Sequence, residues 1–189
     1  MRYKSGYKEQ KRQQLLGISG QIAKKKGFNV TGVDTFMKAA GMTSGAFYSH
    51  FSSKHDLFNA LISAELQHSI AMWQNNPHPD AEQWLDFELN RYLSMSHVTQ
   101  AENGCVLPAL ATEIARSDLD TRQIYQDEFI KGHQIFAQRL GSEDKAWAVM
   151  CQLVGAILMA RSMADDHIKM LILESSKNSI KAMLSQNTR

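Results

Sequence analysis

The feature that most constrains the fold is the rapid succession of helix stops and starts between residues 24 and 54. Three lysines at 24–26 suit the last turn of a first helix, and Gly27 follows them as a C-cap. A second, shorter helix ends at Gly41, and a third runs to about His50. Two helices joined by a turn of about three or four residues containing glycine form a helix-turn-helix, and the spacing predicts one here.

Side-chain capping boxes are expected at the starts of these helices. Thr31 with Asp34 has the T-x-x-D spacing at the second helix, and Ser53 with Asp56 has the S-x-x-D spacing at a longer, fourth helix. Thr43 or Ser44 supplies a cap for the third helix. These polar residues therefore mark where each helix begins.

Helical periodicity continues through the rest of the chain. A proline-containing break, "NNPHPD" at 75–80, follows the fourth helix. Further helices are predicted over 81–96, 105–116, 119–140, 142–164 and 167–184, and no segment alternates strictly enough for a strand. The fold class expected is all-α, with a helix-turn-helix unit over residues 1–54 and a larger helical unit over 55–189.

Charge is sorted along the chain rather than mixed. Residues 1–54 contain ten lysines and arginines against two acids, whereas the rest carries eleven basic and seventeen acidic residues. A basic segment attached to an acidic one suggests that the first faces a nucleic acid. Chain length, 43% hydrophobic residues and three prolines are those of a globular protein.

Nothing in the sequence suggests a membrane or secreted location. No stretch approaches about 18 uninterrupted apolar residues, and the N-terminus lacks the apolar core of a secretion signal. We therefore expect a cytoplasmic protein without a membrane partner. Cys105 and Cys151 are expected to be free, buried thiols, and the sequence leaves open whether Cys105 has a redox role.

The third short helix combines small and aromatic residues in a way that suits DNA. A recognition helix enters a major groove about 12 Å wide while its back packs on other helices. Small side chains at Gly45, Ala46 and Ser49 fit the groove, whereas Phe47 and Phe51 fit the back. Long polar side chains that can reach flanking phosphates are Tyr48, His50 and Lys54.

This segment resembles the TetR family of bacterial transcriptional repressors. "KKGF" followed by "TGVDTFMKAAGMTSGAFYSHFSSKHDLF" matches the family pattern without a gap over 25–58, and "GCVLPALATEIARSD" at 104–118 is similar to one subgroup. Asp34 departs from the pattern, because many relatives have arginine there; as part of a capping box it is interpreted as structural. The resemblance implies a ligand-responsive regulator, most often a repressor, without a cofactor or catalytic activity.

The resemblance also implies which residues contact a double-stranded DNA operator. Thr43, Ser44, Gly45, Ala46 and Ser49 lie nearest the base edges in this interpretation, and Thr31, Tyr48, His50 and Lys54 lie along the backbone. For the N-terminal Arg2, Lys4, Lys8, Lys11 and Arg12, contact with DNA and a solvated charge run stay equal alternatives.

Family members are homodimers, and the last two helices here have the composition of an interface. The run 147–160 is apolar nearly all round, as in a helix buried on both sides, and the final helix has one apolar and small-residue stripe. The expected interface residues are Met150, Val154, Ile157, Leu158, Ile172, Ser176, Ile180 and Met183. Packing within one chain is the alternative, and a two-fold dimer would require a palindromic operator.

The resemblance further implies an effector pocket in the second unit. Its expected lining is Trp84, Phe87, Glu88, Tyr92, Glu113, Phe129 and His133, with Arg161 as a further polar contact. Such aromatic residues would suit a hydrophobic or planar small molecule, although residues of this kind also occur in ordinary cores.

Two other functional classes were weighed against a regulator. Glu65 and His68 have the i, i+3 spacing of di-iron helical enzymes, but such sites need two of these pairs. The other alternative is an interaction dimer that has lost DNA binding, against which the basic segment and the run from Tyr48 to Lys54 both argue. Activation in place of repression also stays open, because it depends on where the operator lies.

Overall fold

A computed structural model describes residues 6–185, and within that range the chain is helical with no strand. Arg2 and Lys4, two of the basic residues considered for DNA contact, lie outside the described residues. The nine α-helices in the described range are α1 Tyr7–Lys26, α2 Val33–Ala39, α3 Lys54–Gln74, α4 Ala81–Tyr92, α5 Met95–Thr99, α6 Leu107–Ala115, α7 Leu119–Leu140, α8 Glu143–Arg161 and α9 Asp166–Ser185.

Two short 3-10 helices complete the chain trace. The first, Ser44–Ser49, occupies the position predicted for the third α-helix, and we call it the recognition segment. The second, Ala101–Asn103, lies in the loop between α5 and α6, and residues 100–105 are called the junction loop. The all-α prediction is confirmed, whereas the α-helical form of the recognition segment is not.

Helix caps agree with the sequence at some starts and differ at others. Ser53 accepts a hydrogen bond from the Asp56 amide at 3.0 Å, as predicted. At α2 the predicted capping box is wrong, because Gly32 is the N-cap and the Thr31 hydroxyl donates instead to the Gly27 carbonyl at 2.6 Å. Thr43 precedes the recognition segment without a side-chain cap, so the cap predicted for Thr43 or Ser44 is absent.

Two hydrophobic cores share the molecule. The first joins α1, α2 and the recognition segment with the first half of α3 and with α6, ending at Ile114. The second joins the end of α3 with α4, α5, α7, α8 and α9. Within α3, the first core extends past residue 54 as far as Leu66. The functional division of the chain at residue 54 stays a prediction.

Long helices link the two cores. α3 begins beside the recognition segment and contributes Leu57 to the first core, then ends with Trp73 in the second. α6 is tied to the first core by Glu113, whose carboxylate accepts from the Phe28 and Asn29 amides at 3.0 and 2.8 Å. Both helices therefore connect the N-terminal unit to the C-terminal helices.

Both cysteines are free, in agreement with the sequence expectation. Cys105 is largely buried, whereas Cys151 is exposed on α8 and so differs from the predicted buried thiol. Burial raises the pKa of the Cys105 thiol, which keeps it protonated. No described helix is long and apolar enough to cross a membrane.

Candidate nucleic-acid interface

The recognition segment presents small polar residues outward from an aromatic base. Phe47 and Phe51 are buried in the first core, with ring centroids 6.1 Å apart. Thr43, Ser44, Gly45 and Ser49 are exposed, and Ala46 is half-buried. Thus the residues predicted to lie nearest the bases share one surface, which we call the recognition face.

Gly41 makes the tight turn before the recognition segment possible. Its φ of +68° lies in the left-handed region, which residues with a Cβ rarely adopt. The Met42 amide then donates to the Met37 carbonyl at 2.9 Å, and this bond closes the end of α2. The turn sets the direction in which the recognition segment leaves α2.

Tyr48 is the most prominent side chain of the recognition face. It is 75% exposed although it is aromatic, and its ring meets only the edge of the buried Phe47 ring, 5.3 Å between centroids. An exposed tyrosine on a segment anchored by buried phenylalanines leaves its hydroxyl free to reach a partner. This geometry suits contact with a phosphate.

Lys54 and His50 lie at the margin of the same face. The Lys54 ammonium donates to the Asn29 carbonyl at 2.9 Å and stands 5.1 Å from the centre of the Phe28 ring. Burial and the neighbouring Lys8 and Arg12 lower the pKa of His50, so the ring is neutral at pH 7. Its Nδ1 is buried and has no hydrogen-bond partner among residues 6–185.

Thr31 differs in placement from the other predicted contact residues. It is buried, and its hydroxyl is already engaged by the Gly27 carbonyl. The recognition face as the structure presents it therefore does not include the Thr31 side chain.

α1 holds the recognition segment in place through Arg12. The Arg12 guanidinium donates to the His50 carbonyl at 2.8 Å and lies 4.0 Å from the centre of the Phe51 ring. Gln14, half a turn further along α1, donates to the Ala40 carbonyl at 3.1 Å. In the sequence, Arg12 belongs to a run of basic residues. Its contact with His50, 38 residues away, cannot be recognised from the local sequence.

The three lysines at the end of α1 do not form one basic patch. Lys24 is only 6% exposed and donates to Glu65 of α3 at 2.8 Å and to the Gly104 carbonyl at 3.0 Å. Lys25 pairs with Glu102 at 2.9 Å, and Lys26 is exposed. Two of the three positive charges are therefore neutralised by the acidic unit.

The pair Glu65 and His68 is not part of a metal centre in the described residues. Glu65 is paired with Lys24, and residues 6–185 hold no group of three or more histidine, cysteine or acidic side chains that could bind a metal ion.

The residues predicted to line an effector pocket lie at several separate places. Trp84, Glu88 and Tyr92 are buried in or beside the second core, and Glu88 pairs with Arg91. Phe87 is partly exposed beside His78, and Glu113 binds the amides that follow α1. Phe129 and His133 both stack on Trp147, at 5.7 and 4.0 Å.

Cavities of the second unit divide these residues in the same way. One of about 550 Å³, between α4, α7 and α9, contains none of the seven. A groove of about 500 Å³ between α6, α7 and α8 includes Phe129, and a cavity of about 260 Å³ beside the junction loop includes Tyr92. Volume alone thus does not identify a ligand site.

The predicted interface residues also divide between two environments. Met150, Ile157 and Ile180 are buried inside the second core of their own chain. Leu158 is 45% exposed, and Val154, Ile172, Ser176 and Met183 are half-buried. Other large apolar residues stand exposed on the outer side of α8 and α9, namely Met159, Ile168, Met170 and Leu171.

Comparison with known proteins points to one class of regulator. Residues 21–61 match the family described as "Bacterial regulatory proteins, tetR family". The uncharacterized HTH-type transcriptional regulator YvdT of Bacillus subtilis (strain 168) is 28% identical over 74 residues, 39% of this chain and 38% of that protein. The chain therefore matches well under two thirds of that relative's length.

Solved structures agree with the whole fold. The reduced form of NemR from E. coli superposes with a TM-score of 0.79 at 19% identity, covering 92% of this chain and 97% of that one. TetR-family regulators from Agrobacterium tumefaciens and Legionella pneumophila both give a TM-score of 0.74 at 18% identity. They cover 95% and 96% of this chain and 98% and 99% of theirs.

Proposed function

We propose that this chain, as a member of the TetR family of bacterial transcriptional regulators, binds a palindromic operator as a cytoplasmic homodimer. In this proposal it represses the adjacent gene and releases the DNA when an effector binds. The recognition face carries this proposal. It combines small exposed residues with Tyr48 and Lys54 on a base of buried Phe47 and Phe51. This is the arrangement that a groove-binding helix needs.

The roles proposed within that face follow from exposure. Thr43, Ser44, Gly45 and Ser49 are placed toward base edges because they are small and exposed, and Tyr48 toward a phosphate because its ring is free of the core. Lys54 is also proposed as a phosphate ligand, since a phosphate offers a charged acceptor in place of the Asn29 carbonyl.

The dimer proposed here uses the outer sides of α8 and α9. The Gln152 side chain donates to the Ser176 carbonyl at 3.3 Å, so the two helices form an antiparallel pair in which Leu158 and Leu171 lie toward the same end. Exposed large apolar residues on both helices of the pair favour burial against a second copy. The residues buried in the core, such as Ile157, would support this interface from behind.

Fluorescence anisotropy with the intergenic DNA beside the protein's own gene tests DNA binding. Wild type should bind specifically with a steep dependence on salt concentration. Tyr48→Ala/Lys54→Ala should lose about 100-fold or more in affinity, and its salt slope should fall by about two, one per protomer. Lys181→Ala removes one positive charge on α9, far from the recognition face, and should change neither value.

A folded wild-type dimer that binds this DNA no better than random DNA would refute operator binding and favour an interaction module.

The dimer itself is tested by light scattering on Leu158→Glu/Leu171→Glu. We expect this variant to be a folded monomer, because two carboxylates per chain would have to be buried at the interface. A dimer of unchanged affinity would contradict the proposed surface. Repression is tested by reporter expression with and without the gene.

A further inference from the structure

The cavity beside the junction loop differs from the others in its chemistry. It has a volume of about 260 Å³ and lies where the ends of α3 and α4 meet α5 and residues 100–105. Arg91, Tyr92, Ser96, His97 and Cys105 contribute to its lining, which includes no carboxylate. It is thus a small, partly open space with polar groups from three elements.

Polar atoms at this cavity lack partners within the described part of the chain. Tyr92 is 7% exposed, and its buried hydroxyl makes no hydrogen bond of normal geometry within residues 6–185. Its polar neighbour is the Cys105 thiol, which is only a weak hydrogen-bonding group. Arg161 does not line the cavity but donates to the carbonyl of His97, which does, and its buried Nε also lacks a partner within residues 6–185. An unsatisfied buried polar group costs about 1–3 kcal/mol, so a molecule that accepts from the Tyr92 hydroxyl would relieve this cost.

His97 cannot supply the missing acceptor, because both of its ring nitrogens are used. Nδ1 donates to the Tyr92 carbonyl at 2.7 Å, and Nε2 accepts from the Cys105 amide at 3.0 Å. These two bonds require the neutral ring protonated on Nδ1. The ring therefore forms a fixed wall of the cavity.

The electrostatic environment of the cavity is positive. Burial, together with the charges of Arg161, Arg91 and Lys24, lowers the pKa of His97 to about 4. Glu88 neutralises Arg91, and Glu65 neutralises Lys24. Arg161 is half-buried and makes no ion pair within residues 6–185; its Nη2 donates to the His97 carbonyl at 2.8 Å.

We propose that this cavity binds a small organic monocarboxylate, whose oxygen accepts from the Tyr92 hydroxyl and whose charge offsets that of the nearby Arg161. A liquid water occupies about 30 Å³, so the volume admits a ligand of roughly ten non-hydrogen atoms. The neutral Tyr92 is a donor at every physiological pH because burial raises its pKa well above the usual value. This inference refines the proposed function by assigning the class of effector.

The position of the cavity explains how such a ligand would reach the recognition face. Gly104 belongs to the cavity wall, and its carbonyl accepts from Lys24 at the end of α1. A Cβ at Gly104 would collide with the His97 ring, so the loop is packed there without spare room. A ligand that pushes the junction loop outward would therefore move Lys24, and α1 carries the recognition segment through Arg12.

Matched pairs of small acids and amides test the ligand class. Benzoate with benzamide and hexanoate with hexanamide have closely similar shapes and differ in charge. We expect at least one acid to bind the full-length dimer at least tenfold more tightly than its amide in calorimetry, and to raise the melting temperature. If neither acid binds more tightly than its amide, the proposal is wrong.

Two pairs of variants locate the site. Tyr92→Phe removes only the hydroxyl and should weaken acid binding about tenfold, whereas Tyr125→Phe, at a half-buried tyrosine outside the cavity, should not. Ser96 is exposed at the cavity rim, so Ser96→Asp should fold and repel the acid, and Ser96→Asn is its neutral control. Equal binding by Ser96→Asp and Ser96→Asn would overturn the assignment even if Tyr92→Phe were unstable.

Operator binding measured with the same proteins separates this proposal from the function on which it rests. Operator binding that no acid alters, in a protein that binds neither acid, would refute the cavity assignment and leave the regulator intact. Tyr92-dependent acid binding in a protein that recognises no operator would refute the regulator and leave the cavity site intact. Release of the operator by the acid in wild type, and not in Ser96→Asp, supports both.

Discussion

Two 3-10 segments contact α1 at opposite ends, and they are held there by different forces. The recognition segment is anchored by buried Phe47 and Phe51, with Arg12 as its polar tie. The Ala101–Asn103 turn of the junction loop has no buried residue and is held to α1 by Lys24 and Lys25. Apolar burial is non-directional, whereas hydrogen bonds and ion pairs depend on short distances.

This difference suggests that the two ends of α1 hold their 3-10 segments with different firmness. An apolar anchor keeps the recognition segment fixed to α1, so the two move as one body. The polar contacts of the junction loop can be exchanged for water or ligand contacts at small net cost. A ligand bound in the second unit would therefore change the contacts of the junction loop with α1. The recognition segment would then move together with α1 and keep its own shape.

The largest expected effect is loss of the apolar anchor. Phe47→Ala should lower the free energy of unfolding by about 3–5 kcal/mol, because it removes a fully buried ring and leaves a cavity. Urea denaturation measures this value. Tyr48→Ala, at the exposed neighbouring aromatic residue, should cost less than about 0.5 kcal/mol. Similar losses in both variants would contradict the distinction between a buried anchor at Phe47 and an exposed contact residue at Tyr48.

Acid should weaken the junction more than the recognition segment. The pKa of His97 is about 4 in the folded protein and about 6.5 in an unfolded chain. Because the unfolded chain takes up a proton that the native state excludes, stability should fall by about 3 kcal/mol as pH drops from about 6.5 to about 4. Denaturation across this range should show a shallower slope in His97→Gln than in wild type or in the exposed-site control His167→Gln.

The buried tie of the junction should have an intermediate effect. Lys24→Met keeps the apolar stem but leaves Glu65 and the Gly104 carbonyl without their donor. We expect a loss of about 2 kcal/mol, less than the roughly 3–5 kcal/mol of a fully buried pair, because Glu65 keeps some access to water. Lys26→Met, next to it but exposed, is the control for loss of charge. An unchanged unfolding free energy in Lys24→Met would show that the junction is not held by this residue.

The polar tie of the recognition segment should have the smallest effect on stability. Arg12→Lys loses the stacked guanidinium over Phe51 and should cost about 1 kcal/mol. Hydrogen exchange should show faster opening of the His50 and Phe51 amides, which bond to the Phe47 carbonyl. Arg116→Lys makes the same replacement at an exposed position and should leave both measurements unchanged.

Local patterns predicted the helices well and the side-chain contacts poorly. Helix α7 begins and ends where the periodicity indicated, and the Ser53 cap of α3 forms as expected. Thr31 has an equally good capping sequence, yet its hydroxyl binds Gly27. Both options use nearby backbone groups, and the packing of the chain before α2 decides between them.

The candidate sites divide along the same line. The sequence placed small residues, Tyr48 and Lys54 on one short segment because they are neighbours in the chain. It assigned Tyr92 and Arg161 to one pocket but did not place His97 between them, because the Arg161 contact with the His97 carbonyl joins residues 64 positions apart. Likewise, Met150 and Ile157 share helical spacing with exposed Leu158, and only the packed fold separates the core side from the outer side.

The sequence alone determined the all-α class, the order of the long helices and the residue types of the recognition face; the predicted helix over 81–96 is divided into α4 and α5. These properties depend on periodicity, caps and residue types within a few positions of one another. Only the tertiary structure decided that Lys24 turns away from a basic patch to hold the junction loop. It also decided that the buried Tyr92 hydroxyl has no hydrogen bond of normal geometry in the described part of the chain. The reason is physical: burial and long-range polar contacts depend on which helices meet, and that information is spread over the whole chain.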